Sequence, residues 1–129
     1  MAYDRTYKIF HDALKADHET VYKEIKNKVS PAYDDLSKIE GLHDNFISVF
    51  DSTDRTTMRL KFICIILHLY SPATLYYNFS CQPGVREALK NVFNYKENAA
   101  ISMIIKKARE KMKRKFFRDD VLTLIKLIS

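Results

Sequence analysis

The chain has 129 residues, of which 47% are hydrophobic and 29% charged, with only 2 glycines and 3 prolines and a formal charge of +6. That length suits one domain around a single core, and the apolar content is too high for a disordered chain. Average usage would supply roughly nine glycines and six prolines, so the turns of an all-β sandwich or barrel and a glycine-rich phosphate cradle have little to be built from, and a single-domain all-α bundle over 1–129 is expected.

Tyr3, Tyr7, Phe10 and Leu14 recur at helical spacing, one face of a helix over about 4–16. Val21, Tyr22, Ile25 and Val29 continue a similar stripe up to Ser30-Pro31, where the proline ring restricts the residue before it. One long helix or two satisfy this pattern. Tyr33, Leu36 and Ile39 mark the inward face of a short helix that stops near Gly41, and Phe46, Ile47, Val49 and Phe50 mark a fourth that runs to about Asp51.

Asp51-Ser52-Thr53-Asp54 supplies side chains that accept from the free amides of a helix start. The stretch 58–70 that follows carries Leu60, Ile63, Cys64, Leu67 and Tyr70 on one side and Phe62, Ile65, Ile66 and Leu69 on the other. A helix apolar nearly all round is covered on several sides, so this is the expected central helix, ended by Pro72. Residues 71–83 read as irregular, with Tyr76, Tyr77 and Phe79 either covering the core or facing a second copy of the chain. Val85, Leu89, Val92 and Phe93 mark a short helix, 94–98 a polar break, and 99 to about 116 a longer helix with Ile101, Ile104, Ile105, Ala108 and Met112 inward. Asp119 and Asp120 are expected to cap a last helix whose buried face is Val121, Leu124, Ile125 and Ile128.

Charge is unevenly distributed. Residues 1–84 hold 10 basic and 11 acidic side chains, whereas 85–129 hold 12 and 5. A largely neutral helical body over 2–70 therefore precedes a basic half over 85–129. Within 106–118 eight basic residues face a single acid, Glu110, an electropositive element suited to a polyanion.

Candidates for other chemistry are few. Cys64 lies in the most apolar run, where a reduced, buried thiol is expected; two cysteines make no disulfide framework, and a reducing, cytoplasmic location fits. The opening MAYDRTYKIF has no apolar signal region, and the run 62–70 is far shorter than the ~20 residues that cross a bilayer, so no membrane is expected. His11 and His18 stand about 10 Å apart on a helix, too far for one metal. His43-Asp44 has no obvious partners, and His68 reads as a boundary histidine with one hydrogen bond. Asp34-Asp35 and Asp119-Asp120 are neighbours that diverge on a helix, which suits caps rather than a carboxylate dyad. No metal, cofactor or enzymatic activity is expected.

A short helix, a brief turn, and a second helix that begins small and polar and ends basic is the arrangement of a helix-turn-helix reader, whose second helix meets base edges in the major groove while its basic end holds phosphates. Helical phase sets Glu97, Asn98, Ala99, Ser102, Met103 and Lys106 near the exposed side of its first turns, with Lys107, Arg109, Lys113 and Arg114 further along. The segment ISMIIKKAREKMKRK resembles the end of the recognition helix in the DNA-reading domain of bacterial sigma factors and related response regulators. Ile101, Ser102, Ile105, Lys106, Lys107, Ala108 and Arg109 match that pattern in order, and REALKNVFNY takes the place of the preceding helix with Leu89 and Phe93 as core contacts. Asn94 stands where the family has a glycine and is able to adopt the same positive φ. The resemblance covers about 85–115, a quarter of the chain. It implies a DNA-reading role and nothing of promoter melting or polymerase binding.

The expectation is a regulatory DNA-binding protein that contacts DNA through Asn98, Ala99, Ser102, Met103, Lys106, Lys107, Arg109, Lys113, Arg114 and Lys115, with a homodimer doubling the contact. The same basic run also suits RNA, an anionic membrane surface, or an acidic protein that docks on a small structural or adaptor protein of a phage or mobile element. A basic helix end is favoured by the macrodipole alone.

Overall fold

A computed structural model describes the backbone of residues 2–50 and 54–129 and the side chains of 5–50 and 54–129. In chain order the helices are α1 (Ala2–Asp17), α2 (Glu19–Val29), a single 3-10 turn (Leu36–Lys38), α3 (Ile39–Val49), α4 (Arg55–Tyr70), α5 (Pro72–Tyr77), α6 (Val85–Val92), α7 (Asn98–Lys111) and α8 (Lys115–Ile128). No strand occurs among the described residues, so the fold is all-α. The chain divides into two compact units, Met1–Ser30 and Pro31–Ser129.

The first unit is α1 and α2. The chain turns at His18, and His11 Nε2 comes within 3.1 Å of the Tyr22 hydroxyl with the two rings edge-on. Lys15 lies over the Tyr22 ring, and Glu19 pairs with Lys23 one turn on. The apolar stripe does not become a core: Tyr7, Phe10, Val21 and Ile25 are exposed and Leu14, Tyr22 and Val29 only half-buried. Two short helices have one facing line each, too little to enclose side chains of that size.

The second unit is organised around α4. Asp54 caps it by accepting from the amides of Thr56 and Thr57, while Asp51, Ser52 and Thr53 of the expected cap cluster lie outside the described residues. From Phe62 to Leu67 every residue is fully buried, and α3, α5, α6, α7 and α8 all dock on the helix. Its end is tied to the start of the unit, because Ala32 and Tyr33 donate their amides to Leu69 O and the Tyr70 hydroxyl donates to Asp35 O.

Three sequence expectations are corrected here. Gly41 does not end a helix. It lies inside α3, which runs on because Ile39, Leu42 and Phe46 bury one continuous face. Residues 72–77 are helical, because Pro72 occupies the first turn of α5, where its missing N–H costs nothing; Tyr77 and Phe79 are exposed and only Tyr76 lies partly against the core. The expected helix over 99–116 is two: α7 ends at Lys111, the amides of Lys113 and Arg114 close a turn onto Glu110 and Lys111, and Arg114 rather than Asp119 or Asp120 stands at the start of α8.

Gly84 precedes α6 at φ 87°, and a side chain there would overlap Leu36 in the 3-10 turn. Gly84→Ala should lower stability by about 1–3 kcal/mol, seen as a lower midpoint in urea; an unchanged midpoint would mean that the loop relaxes freely.

Two histidines in this unit are partly buried. His43 lies against Phe62 and Phe93, with ring centroids at 4.8 and 5.7 Å, and His68 Nδ1 lies 2.6 Å from the Tyr76 hydroxyl. Burial holds both below the ordinary histidine pKa, the nearby Asp44 charge opposing this at His43. The unfolded chain takes up these protons more readily, so their contribution is complete above about pH 6.5 and is lost as pH falls through the lower folded values. The urea midpoint should drop between pH 7.5 and 5.0, and the drop should shrink in His43→Asn.

Candidate nucleic-acid interface

The turn between α6 and α7 is built from its residues outward. Val85 and Leu89 bury the inner face of α6. Asn94 takes φ 58°, which lets the amides of Asn94 and Tyr95 close back on the carbonyls of Asn91 and Lys90. This is the glycine-type helix stop made by an asparagine. Arg59, projecting from α4, then fixes the turn: its Nη1 donates to the Tyr95 hydroxyl at 3.1 Å and its guanidinium lies over the Phe93 and Tyr95 rings. On the far side Lys90 Nζ donates to Asn98 Oδ1 at 3.2 Å, joining α6 to the first residue of α7.

Ile101, Ile105 and Ala108 of α7, with Met112 just beyond, are buried, and the Cys64 thiol points at Ala108 O at 3.4 Å. Burial pushes the Cys64 thiol far above its ordinary pKa and also raises that of half-buried Cys81, so both stay protonated at neutral pH. With the apolar face engaged, Ala99, Ser102, Met103, Lys106, Lys107 and Glu110 form an exposed stripe, Met103 being 63% accessible. Met103 and the stems of Lys106 and Lys107 border a groove with Thr56 and Leu60 of α4.

The remaining expected contacts fall elsewhere. Lys113, Arg114 and Lys115 do not extend the stripe along one axis. They form the corner between α7 and α8, with Lys113 Nζ 3.3 Å from Glu110 Oε1. Arg109 leaves the stripe: it is half-buried, and its Nη1 donates to Asn78 Oδ1, a side chain held by the left-handed cap of α5. Sequence phase missed two neighbours. Phe116 is 86% exposed at the basic corner, and Arg86 of α6 reaches Ser102 Oγ at 3.5 Å. Phe116 and Phe117 are adjacent in the basic run and only the start of α8 decides which of them is exposed, and Arg86 meets α7 only once the helices are folded together.

Among the described residues no group of three or more His, Cys, Asp or Glu side chains is placed to hold a metal ion, and no helix of the described chain is long and apolar enough to cross a membrane. No protein-family model matches the chain, and no curated protein or solved structure matches it either.

The turn itself is open to a direct check. Asn94→Gly should preserve or slightly raise the melting temperature, whereas Asn94→Val, with a branched side chain at positive φ, should cost about 1–2 kcal/mol. Equal melting of the two variants would show that the left-handed turn is not required.

Proposed function

We propose that the protein binds duplex DNA in a regulatory role, with the exposed stripe of α7 in the major groove and the α7–α8 corner on the flanking phosphates. The observation that carries this reading is the exposure of Lys106, Lys107, Lys113, Arg114 and Lys115 around one helix end, where Glu110 is the one acid in the run and pairs with Lys113. Small Ala99 and Ser102 leave room for close approach, and the short α6 precedes α7 across a five-residue turn, 93–97. A dimer would present two such helices to neighbouring half-sites. A second reading follows from the groove bordered by Leu60 and Met103: its apolar floor and lysine rim suit an acidic amphipathic segment of a partner protein.

Titration of a labelled duplex at several salt concentrations tests the first reading. Five or six phosphate contacts imply a slope of log K against log salt of roughly −5. Replacing Lys113, Arg114 and Lys115 together by Gln should weaken binding to all sequences alike, and Ser102→Glu should abolish sequence preference in a protein that still folds. A slope near zero overturns the DNA reading, and binding untouched by Ser102→Glu removes α7 from the groove.

A further inference from the structure

Arg86, Lys106 and Arg109 open on a cleft of about 800 Å³ between α7 and the segment that joins α5 to α6. Its far wall is fixed by hydrogen bonds. The Ser71 hydroxyl accepts from the Gln82 amide at 3.0 Å, the Thr74 hydroxyl donates to Ser80 O at 3.1 Å, and the two hydroxyls, both on buried residues, meet at 2.7 Å. Phe79 and Ile105 add apolar surface to the lining.

The charges in the cleft are incompletely answered. Among the described residues two carboxylates line it, Glu87 and Glu110, and Glu110 is taken by Lys113. Arg86, Lys106 and Arg109 make no ion pair among the described residues, and Arg86 has only the long contact to Ser102. Three cations against Glu87 leave a surplus of two, the charge of a phosphate dianion. Arg109 is anchored on Asn78 through Nη1, while its Nε is buried with no acceptor among the described residues. Such a donor carries the desolvation cost of an unmade bond, which an added acceptor within its reach would offset. Pro83 and Gly84, at the start of α6, also line the cleft, and no side chain caps that helix end, so its positive pole adds to the field.

We propose that this cleft binds a small organic phosphate, with the phosphoryl group among Arg86, Lys106 and Arg109 and a compact apolar body against Phe79 and Ile105. The mixed lining and concave shape suit a small ligand rather than a polymer backbone, and the size lies within the usual range of ligand cavities. The site stands whether or not α7 reads DNA.

Isothermal titration with phenyl phosphate, inorganic phosphate and phenol at physiological salt tests it. Phenyl phosphate should bind saturably at one site per chain, more tightly than inorganic phosphate, and phenol should not bind. Arg86→Gln and Arg109→Gln should each weaken phenyl phosphate by about tenfold or more, as loss of a charge-assisted hydrogen bond requires. Lys107→Gln, outside the cleft, should bind it as the parent does while losing DNA affinity, so failure of the DNA reading leaves this result intact. Arg86 is exposed, so Arg86→Gln keeps the test valid if Arg109→Gln unfolds, which circular dichroism reports. No saturable heat with phenyl phosphate, or equal affinity in Arg86→Gln and the parent, overturns the proposal. Equal affinity for phenyl and inorganic phosphate overturns the apolar half of the site.

Discussion

Burial of α4 on every side is the constraint from which the second unit follows. An amphipathic helix needs one covering layer, but Phe62, Ile63, Cys64, Ile65, Ile66 and Leu67 occupy a full turn and more, and all are out of solvent. Each large aliphatic or aromatic side chain so buried contributes about 1.5–3 kcal/mol, and none of that is available unless helices arrive from several directions. Polar residues at the margin of α4 then orient what arrives. Arg59 fastens the turn before α7 through Tyr95 and Phe93. Lys61, whose side chain is 12% exposed, reaches Asp120 at 3.2 Å and lies between the rings of Phe50 and Phe117, which sets the start of α8. The same helix that makes the core thus places both elements of the basic surface.

That surface carries a local electrostatic cost. The start of α8 is the positive end of its dipole, yet Arg114, Lys115 and Arg118 stand there, and Arg114 supplies no acceptor to the free amides. Cations in the first turn oppose the dipole by a few tenths of a kcal/mol each, and Asp119 and Asp120 offset part of this one turn further on. Phe116, 86% exposed, adds an apolar side chain that gains little burial against the described residues. Residues that disagree with their own helix are expected where a surface is kept for an anionic partner, because the partner restores the balance.

The fold was legible where periodicity is strong and opaque where one residue decides. All-round apolar spacing identifies α4, and the acceptor cluster 51–54 marks its start, where the structure shows Asp54 as the cap. Gly41 looked like a stop, but a glycine whose missing Cβ faces open space is an ordinary helix residue, and the spacing of Ile39, Leu42 and Phe46 across it was the better guide. The break after Lys111 contains neither glycine nor proline. Its trace in the sequence is a slip of phase: buried positions step by four, three and four from Ile101 to Met112, then by five to Phe117 before Val121. At the site, the phase of α7 correctly set Ser102, Met103, Lys106 and Lys107 outward. It failed for Arg109, which sits at the margin of the stripe and is drawn inward by Asn78, a residue 31 positions away whose side chain is in place only because α5 ends in a left-handed cap.

The break after Lys111 bears directly on how α7 would sit in DNA under the proposed reading. A straight helix over 99–116 would be about 27 Å long, more than twice the roughly 12 Å width of the major groove, and would carry Arg114 and Lys115 along its axis past the sugar-phosphate strands. The observed α7 has 14 residues, about 21 Å, and the chain turns at the point where such a helix would emerge from the groove. In that pose Lys113, Arg114 and Lys115 would be gathered at the phosphate level, and Ser102 and Met103 would lie about three helical turns back, at the depth of the bases. Contacts that fix position and contacts that carry sequence would then fall on different parts of the surface, one on the α7–α8 corner and the other on the first turns of α7. Arg109, drawn away from the stripe by Asn78, would take part in neither task and lines the neighbouring cleft, which borders the stripe at Ser102 and Lys106.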